Sequence, residues 1–374
     1  MIINVARDDL YAGVSSLQNI TNKKGTIAIL VNILIETDFD SVILTATDLE
    51  VGIKIKIPAE ILSPGAITLP SKKLFEIIRE TAEENIKLEL SENNWVKIIT
   101  NSGKYKLAGT DSEEYPKFPE FNDEILVTIP TDALTEIIEK TVFAISTESE
   151  TQFNLTGALF EKETKDNKNY IRFVSSDGHR LSLMEREVDT DISKLNCEKT
   201  ILIPRKGILE IKKLCEKNEF IEIGFDAKQA VLKTEDSLMI IRLLNGDFPN
   251  YKNIVNAISK DNFIEIKKQD FISSLKRINL FSNDEYSSVK FTLSENLLTL
   301  NSQDMEIGSG NEDLKVSYSG ENLIIGFNVK YFIESLQVMN SEKIKGYLNS
   351  ENTPFLIEGD DDPGFLSIIM PMKI

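Results

Sequence analysis

Hydrophobic and polar positions along the chain repeat one pattern three times. Each copy opens with a short apolar strand and an amphipathic helix, then continues as alternating apolar and polar residues typical of half-buried strands. A second strand and a second helix follow in each copy, and further strands close it. The spacing predicts helices over residues 7–21, 71–82, 130–145, 204–217, 268–282 and 328–340.

An aspartate turn recurs at the same place in each copy. The middle turn, Asp177-Gly178, lies between an apolar run that ends at Val174 and an alternating run that begins at Leu181, which is a strong hairpin signal. Asp48 and Asp304 follow apolar runs in the same way, 129 and 127 positions away. Units of this length can each bury a core, so the repeat is not a solenoid.

The pattern predicts an α+β fold of three tandem similar domains, each with two helices packed on antiparallel sheet. Polar stretches at residues 120–124 and 250–253 mark the boundaries. We therefore expect an N-terminal domain over 1–122, a central domain over 126–249 and a C-terminal domain over 251–374.

Composition narrows the class of protein. The chain has 374 residues and 41% hydrophobic content, enough for ordinary cores. Its N-terminus lacks the pattern of a signal peptide, and its longest apolar run is too short to span a bilayer. Cys197 and Cys215 form neither a disulfide framework nor a zinc pattern. We expect a cytoplasmic protein with no membrane association and two reduced thiols that serve packing.

The net charge of −18 would by itself argue against binding to nucleic acid. The six predicted helices, however, carry a net charge of +3, which leaves −21 for the rest of the chain. A charged helical face is usually only solvated, but this segregation fits a surface that meets phosphates on one side. In the helix over 204–217 the spacing predicts a solvent stripe of Lys206, Glu210, Lys213 and Lys217, opposite Ile208, Ile211 and Cys215.

Two alternatives to nucleic-acid binding remain from the residues alone. One is a hydrolase that uses Asp177 and His179, the only histidine, although no nucleophile motif accompanies them. The other is an acidic β-rich scaffold that does not bind DNA. Asp360–Asp362 lacks the spacing of a calcium loop and is predicted to be a solvated loop. No phosphate-binding or dinucleotide motif is present, so we expect no cofactor and no metal.

Over its whole length the chain resembles the bacterial DNA polymerase III beta subunit family, the sliding clamps. The resemblance depends on motifs that are weak singly but specific in this order: Thr47–Glu50, Asn154–Glu161, Ser176–Leu181, Ile203–Gly207, Gly246–Tyr251, Tyr318–Gly320, Ile325–Val329 and Met370–Ile374.

The resemblance implies a non-catalytic DNA sliding clamp, a replication processivity factor. It implies a head-to-tail homodimeric ring that encircles double-stranded DNA without sequence preference, with helices lining the hole. The implied partners are a clamp loader, the replicative DNA polymerase and other DNA enzymes, which bind through short peptide motifs.

The resemblance also implies three sets of site residues. DNA-binding positions are Lys24, Lys72, Lys73, Arg79, Gln152, Phe153, Asn154, Arg205, Lys206 and Lys213. Dimer-interface positions are Lys104, Tyr105 and Lys106 against Leu280 and Phe281, with Glu306, Glu312 and Asp313 as opposing charge. The peptide-binding cleft comprises Leu155, Ser176, Gly178, His179, Arg180, Leu181, Pro249, Asn253, Ile254, Ile368, Ile369, Met370, Pro371 and Met372. Asn253 stands where the family often has arginine, and Pro354 stands near a usual serine.

Overall fold

The computed structural model describes residues 1–21, 27–147, 154–282, 287–304, 306 and 308–373. Seven α-helices lie within these ranges, one more than the sequence predicts. Their bounds are α1 Arg7–Thr21, α2 Ser71–Glu80, α3 Thr131–Glu139, α4 Arg205–Cys215, α5 Tyr251–Asn256, α6 Lys268–Ile278 and α7 Val329–Gln337.

Antiparallel strands accompany the α-helices, together with short 3₁₀ turns, so the predicted α+β class is confirmed. They are β1 Ile2–Ala6, β2 Asn32–Asp38, β3 Ser41–Thr47, β4 Val51–Pro58, β5 Glu60–Ser63, β6 Ala66–Pro70, β7 Asn85–Leu90, β8 Trp95–Ile99, β9 Lys104–Ala108, β10 Val127–Pro130, β11 Gly157–Lys165, β12 Lys168–Ser176, β13 Arg180–Val188, β14 Ile201–Pro204, β15 Phe220–Phe225, β16 Gln229–Lys233, β17 Ser237–Arg242, β18 Phe263–Lys267, β19 Ser288–Ser294, β20 Leu297–Asp304, β21 Gly308–Lys315, β22 Leu323–Asn328, β23 Lys343–Tyr347, β24 Phe355–Gly359 and β25 Phe365–Ile369.

The chain forms two compact units, and each contains two sheets. The first unit comprises Met1–Thr128, Ser193–Asn196 and Phe220–Leu243. Its strand orders are β5-β1-β7-β8-β9 and β10-β15-β16-β17-β4-β3-β2-β6. Strand β10 is the edge strand of the larger sheet, and only its first residues belong to this unit. Strands β15 to β17 belong here because β17 pairs with β4. The predicted limits of three separate domains stay predictions.

The second unit comprises Ile129–Ile192, Cys197–Glu219 and Leu244–Ile374. Its larger sheet has the order β14-β11-β12-β13-β25-β24-β23-β18, and its smaller sheet has the order β21-β20-β19-β22. The pairing of β13 with β25 joins strands from the predicted central and C-terminal domains into one ladder.

The helices bury the stripes that the sequence predicts. Leu10, Val14 and Leu17 of α1 are fully buried. The helices pack in pairs, α1 with α2, α3 with α4 and α6 with α7. Two helices end earlier than the sequence predicts. The helix predicted over 130–145 ends at Glu139 and is followed by a 3₁₀ turn at Val142–Ala144, and the helix predicted over 268–282 ends at Ile278 and is followed by a 3₁₀ turn at Asn279–Phe281.

The three aspartate turns share one hydrogen-bond pattern. Asp48 Oδ1 accepts the backbone N–H groups of Glu50 and Val51, at 3.0 and 2.9 Å. Asp177 does the same for its hairpin, and Asp304 Oδ1 accepts the N–H of Glu306 at 2.8 Å. The repeat read from the sequence is therefore a repeat of side-chain-capped turns.

A segment after β9 crosses the larger sheet of the first unit. The Tyr115 hydroxyl donates to the carbonyl of Asn32 and accepts the N–H of Thr47, both at 3.2 Å, and burial raises its pKa to about 12. Phe118 covers Gly52 of β4, where a Cβ would come within 3.0 Å of its ring. Ile125 covers Gly224 of β15 in the same way, so the segment ties together the strands it crosses.

Side chains from the neighbouring sheet satisfy the carbonyl groups at the end of α3. Ser182 donates to the carbonyl of Lys140 and Ser175 donates to that of Thr141, both at 2.5 Å. Arg180 donates to the carbonyl of Phe143 at 2.7 Å. The last carbonyls of a helix have no partner within the helix, so these bonds allow α3 to end in a buried place.

A buried ion pair links α3 to the turn before β25. Lys140 Nζ lies 2.8 Å from Asp362 Oδ1 and 2.8 Å from Glu136 Oε1. The prediction of a solvated Asp360–Asp362 loop is wrong for Asp362, which is 1% exposed. Its carboxylate also accepts the N–H groups of Asn340 and Ser341 and the Ser341 hydroxyl. Burial alone would raise the pKa of Asp362, but the hydrogen bonds from Asn340, Lys140 and Ser341 outweigh it and lower that pKa.

We predict that Asp362→Asn destabilises the protein by about 3 kcal/mol, because the buried Lys140 loses its buried partner and keeps only the half-buried Glu136. Urea unfolding at pH 7, followed by circular dichroism, measures the change. Asp360→Asn is the matched control: Asp360 pairs with Lys345 at the surface, so its replacement should cost less than about 1 kcal/mol. Equal unfolding free energies for wild type and Asp362→Asn would refute the role of the pair.

The pH dependence follows from the lowered pKa of Asp362. A carboxyl whose pKa is lower in the folded state stabilises the fold fully above its unfolded value of about 3.9. That stabilisation is lost as the pH falls through the folded-state pKa. The difference between wild type and Asp362→Asn should therefore persist from pH 7 down to about pH 4 and shrink below it.

Candidate functional site

The hairpin between β12 and β13 is the part of the site that the sequence predicts most directly. Asp177 Oδ1 accepts the N–H groups of His179 and Arg180, each at 3.0 Å, and Gly178 has a φ of 89°. Glycine suits this left-handed position because it has no Cβ. The Ser176 hydroxyl donates to the Arg180 carbonyl and accepts the Gly178 N–H, which closes the turn. Leu155 packs beside Gly178.

Leu181 and Ile368 form the buried floor next to this hairpin. They face each other across the β13–β25 ladder and are 4% and 1% exposed. Side chains opposite each other in an antiparallel pair share one face, so both join the apolar cluster on the side of the sheet away from α3 and α7.

The chain terminus runs beside the hairpin. The Met370 N–H donates to the His179 carbonyl and the Met372 N–H donates to the Gly326 carbonyl, both at 2.8 Å. Met370 is 38% exposed, and Pro371 and Met372 are half-buried. Flexible, partly exposed methionines make an adaptable apolar surface.

Another flank comes from the segment that includes α5. Pro249 and Ile254 are half-buried, Asn253 is exposed, and Ile254 packs against the apolar cluster. We call the whole surface the junction groove, defined by Leu155, Ser176, Gly178, His179, Leu181, Pro249, Asn253, Ile254, Ile368, Met370, Pro371 and Met372.

Arg180 and Ile369, also predicted for the cleft, lie on the opposite side of the sheet. They form the next pair of the ladder, so their side chains turn toward the helices. The Arg180 guanidinium is 2.9 Å from Asp177 Oδ2, pairs with Glu334 and stacks on Tyr331. The charge of Arg180 is therefore directed away from the junction groove.

The same contacts weaken the hydrolase alternative. Asp177 uses one carboxylate oxygen for the turn and the other for Arg180. A general base needs a partner that orients its ring, and this carboxylate is committed elsewhere. Over the described ranges, no group of three or more His, Cys, Asp or Glu side chains is arranged to hold a metal.

The two cysteines are not among the residues of the junction groove. Cys215 is 4% exposed on the buried face of α4, and Cys197 is partly buried. Burial raises the pKa of both thiols to about 11, so neither is a ready nucleophile at neutral pH. None of the helices in the described parts is long and apolar enough to cross a membrane.

In the first unit, the predicted DNA-binding cations lie on α2. Lys72 and Lys73 are exposed in its first turn, and Arg79 is exposed in its last. Lys73 Nζ lies 2.6 Å from Glu76, and this hydrogen bond lowers the pKa of Glu76. Lys24, Gln152 and Phe153 lie outside the described residues, whereas the half-buried Asn154 donates to the carbonyl of Asn245.

On α4 the predicted DNA-binding cations are less exposed to solvent than the sequence suggests. Arg205 is half-buried and donates to the carbonyl of Ile145 at 3.2 Å. The expected solvent stripe is wrong at Glu210, which is 4% exposed and pairs with Lys213 at 2.6 Å. Leu209 is exposed instead, Lys206 and Lys213 are half-buried, and Lys217, just beyond the end of α4, is exposed.

The predicted dimer residues lie at the ends of two sheets. Strand β9, with exposed Lys104, Tyr105 and Lys106, is the last strand of its sheet in the first unit. Strand β21 is the last strand of its sheet in the second unit and carries Glu312 and Asp313.

The end of α6 lies beside β21. Leu280 is 69% exposed, and Phe281 is half-buried over Gly310, where a Cβ would come within 2.8 Å of its ring. Glu312 is held by Arg277 and Ser274, and the Arg277 hydrogen bond lowers its pKa. Leu280 is therefore the large apolar side chain that the protomer leaves most open at this edge.

Sequence reasoning missed α5 and the residues around it. Leu244, Phe248 and Val255 also pack against the apolar cluster, and Tyr251 is one of its buried members. The available signal was the helical spacing of Tyr251, Ile254, Val255 and Ile258. Six residues are too few for that spacing to stand out from a loop.

Comparison with known protein families matches three successive parts of the chain to domains of one family. Residues 1–119 match the model for the DNA polymerase III beta subunit, N-terminal domain. Residues 128–250 match that for the central domain, and residues 258–373 match that for the C-terminal domain.

Individual relatives agree. The beta sliding clamp of Chlamydia pneumoniae is 29% identical over 370 residues, which is 99% of this chain and 98% of the relative. That of Haemophilus influenzae is 28% identical with full coverage of both chains. The crystal structure of the DNA polymerase sliding clamp from Caulobacter crescentus aligns with a TM-score of 0.93 at 26% identity, and a sliding clamp from Bartonella birtlesii bound to griselimycin aligns at 0.92 and 26%; both cover 100% of each chain.

Proposed function

The chain belongs to the bacterial DNA polymerase III beta subunit family and is a DNA sliding clamp of replication, and from this premise we propose how its surfaces act. In our proposal a head-to-tail homodimer encircles duplex DNA, and DNA enzymes bind to it through short peptides in the junction groove. The observation that carries the proposal is the groove itself: a buried apolar floor flanked by partly exposed methionine, proline and isoleucine.

The groove suits a short peptide with apolar side chains. Leu181 and Ile368 already have a dry apolar environment, and Met370 and Met372 can adapt to an inserted side chain. Because only a few side chains would be buried and the peptide must be ordered, we expect an affinity on the order of micromolar. Such an affinity suits partners that exchange.

Helix surfaces would meet the DNA. Lys72, Lys73 and Arg79 are exposed on α2 and can contact phosphates, which carry no sequence information. The acidic remainder of the chain would repel DNA elsewhere. This division supports sequence-independent binding that permits sliding.

Strand addition would form the dimer. On β9, Lys104 and Lys106 share one face and Tyr105 has the other; on β21, Asp313 and Glu312 alternate in the same way. If β9 of one protomer pairs with β21 of its partner with helices on the same side, Lys104 and Lys106 face the Asp313 side. Tyr105 then joins Leu280 and Phe281, so charge and apolar contacts both match.

The remaining roles follow from the family. We propose that the chain has no catalytic activity of its own, works in the cytoplasm, and is placed on DNA by a clamp loader. The replicative polymerase and other DNA enzymes would be its peptide-bearing partners. No cofactor or metal enters this proposal.

The groove is tested by deleting Met370–Ile374. We predict that binding of a synthetic Gln-Leu-Phe-containing peptide falls at least about tenfold, because the deletion removes the apolar flank and the Met370–His179 hydrogen bond. Isothermal titration calorimetry measures the affinity, and sedimentation checks that the dimer persists. Undiminished peptide binding by the truncated dimer would place the partner site elsewhere.

The DNA surface is tested by replacing Lys72, Lys73 and Arg79 with alanine. Each lost phosphate contact should reduce the slope of log K against log salt by about 0.9. The matched control replaces Lys54, Lys56 and Lys97, three cations on strands of the same unit that alternate with buried residues facing the helices. The proposal is wrong if both triple variants show the wild-type slope.

The dimer is tested by replacing Leu280 and Phe281 with alanine. Losing two large apolar contacts should weaken the dimer by about 3 kcal/mol or more, roughly two orders of magnitude in Kd. Analytical ultracentrifugation at micromolar concentration should then show monomers. The control replaces Phe39 and Leu62, exposed apolar residues away from β9 and β21, and should leave the dimer intact. An unchanged dimer in the Leu280, Phe281 variant would contradict the assignment.

A further inference from the structure

Helix α5 depends on contacts with the rest of the protein for its position. It has only six residues, Tyr251–Asn256, and so short a helix is not stable by itself. Two open clefts, of about 640 Å³ and about 450 Å³, border the start of this helix. Tyr251 and Lys252 line both clefts, so solvent-filled space adjoins the start of α5 on two sides.

The Tyr251 side chain supplies the missing anchor. Its ring is 4% exposed within the apolar cluster. Its hydroxyl donates a hydrogen bond to the Glu161 carboxylate and accepts one from Arg172 Nη1 at 3.0 Å. Burial raises the Tyr251 pKa, and the bond to Glu161 raises it further, so the hydroxyl keeps its proton across the neutral range.

The two side chains that bind the Tyr251 hydroxyl lie on neighbouring strands of the sheet. Glu161 lies on β11 and Arg172 on the neighbouring β12, in paired positions of the ladder. Arg172 also pairs with Glu163 at 2.7 Å and with Glu185 of β13. The hydroxyl is therefore bound to side chains of two neighbouring strands, and Arg172 is in turn paired with Glu185 of a third.

The anchor acts on the residues that flank the junction groove. The Tyr251 N–H donates to the Pro249 carbonyl at 2.7 Å. Ile254 lies three positions after Tyr251, on the same face of the helix, and packs on the same cluster. The position of Tyr251 is therefore linked to that of Pro249 through the backbone and to that of Ile254 through the helix.

We propose that Tyr251 is a positioning residue for the peptide groove: its hydroxyl, held by Glu161 and Arg172, fixes α5 so that Pro249 and Ile254 stand ready for an apolar peptide side chain. The inference rests on the proposed peptide-binding function. It deepens that function because Tyr251 itself is buried and acts through its neighbours. Pre-organising a binding surface raises affinity by reducing the ordering cost of binding.

The test compares Tyr251→Phe with Tyr347→Phe. Tyr251→Phe keeps the ring and removes only the hydroxyl, and we expect a loss of about three- to tenfold in affinity for a synthetic Gln-Leu-Phe-containing peptide. Tyr347 belongs to the same cluster and is 8% exposed, but its hydroxyl is associated with Glu358 rather than Glu161. Tyr347→Phe should therefore bind the peptide as wild type does.

A double-mutant cycle separates positioning from a general loss of structure. In an Ile254→Ala background the flank is already missing, so Tyr251→Phe should cost little further affinity. Losses that add independently would overturn the inference, as would wild-type affinity in Tyr251→Phe. A wild-type chain that binds no peptide would overturn the proposed function as well. Peptide binding by wild type with unchanged binding by Tyr251→Phe would overturn only the role of Tyr251.

Discussion

Backbone pairing between segments far apart in sequence is the interaction on which the structure depends. In the first unit, β4 pairs with β17 over Val51–Ile55 and Ser237–Ile241. In the second, β13 pairs with β25 over Arg180–Met184 and Phe365–Ile369. Each junction thereby satisfies a row of peptide groups that would otherwise be exposed strand edges. The junction groove exists because the second of these ladders brings the central hairpin beside the chain terminus.

Buried polar groups then specify how helices meet these sheets. Ser175, Ser182 and Arg180 bind the carbonyls at the end of α3, and Lys140 reaches Asp362 from the same region. An apolar contact could slide by an ångström at little cost, but an unpaired buried carbonyl or carboxylate costs several times more. Polar satisfaction therefore selects one docking of α3 among several that would bury similar apolar area. The arrangement commits the Arg180 face of the β13–β25 ladder to packing against α3 and α7 and leaves the Leu181 face to the apolar cluster.

The sequence predicts well what depends on local pattern. The helix starts and the buried face of α1 follow from periodicity, and the aspartate turns follow from turn chemistry. The sequence predicts poorly what depends on which side chains become paired or buried in the folded protein. Glu210 and Asp362 were expected in solvent and are buried, because Lys213 and Lys140 pair with them. The predicted helix over 130–145 ends early because side chains on β12 and β13 take its last carbonyls. Helix α5 escaped prediction because its stability comes from the sheet beneath it. The resemblance supplied the site residues that pattern alone would not have grouped, and alternation along β13 then separated Arg180 from Leu181.

The two unlike strand edges, β9 and β21, have a consequence for how such chains assemble. A contact between different surfaces of identical protomers continues indefinitely unless each step turns by the angle that brings the last copy back to the first. The same pair of edges can therefore produce a closed object or a growing fibre, and the edge residues alone do not decide between them. The decision belongs to whatever fixes the curvature of each protomer.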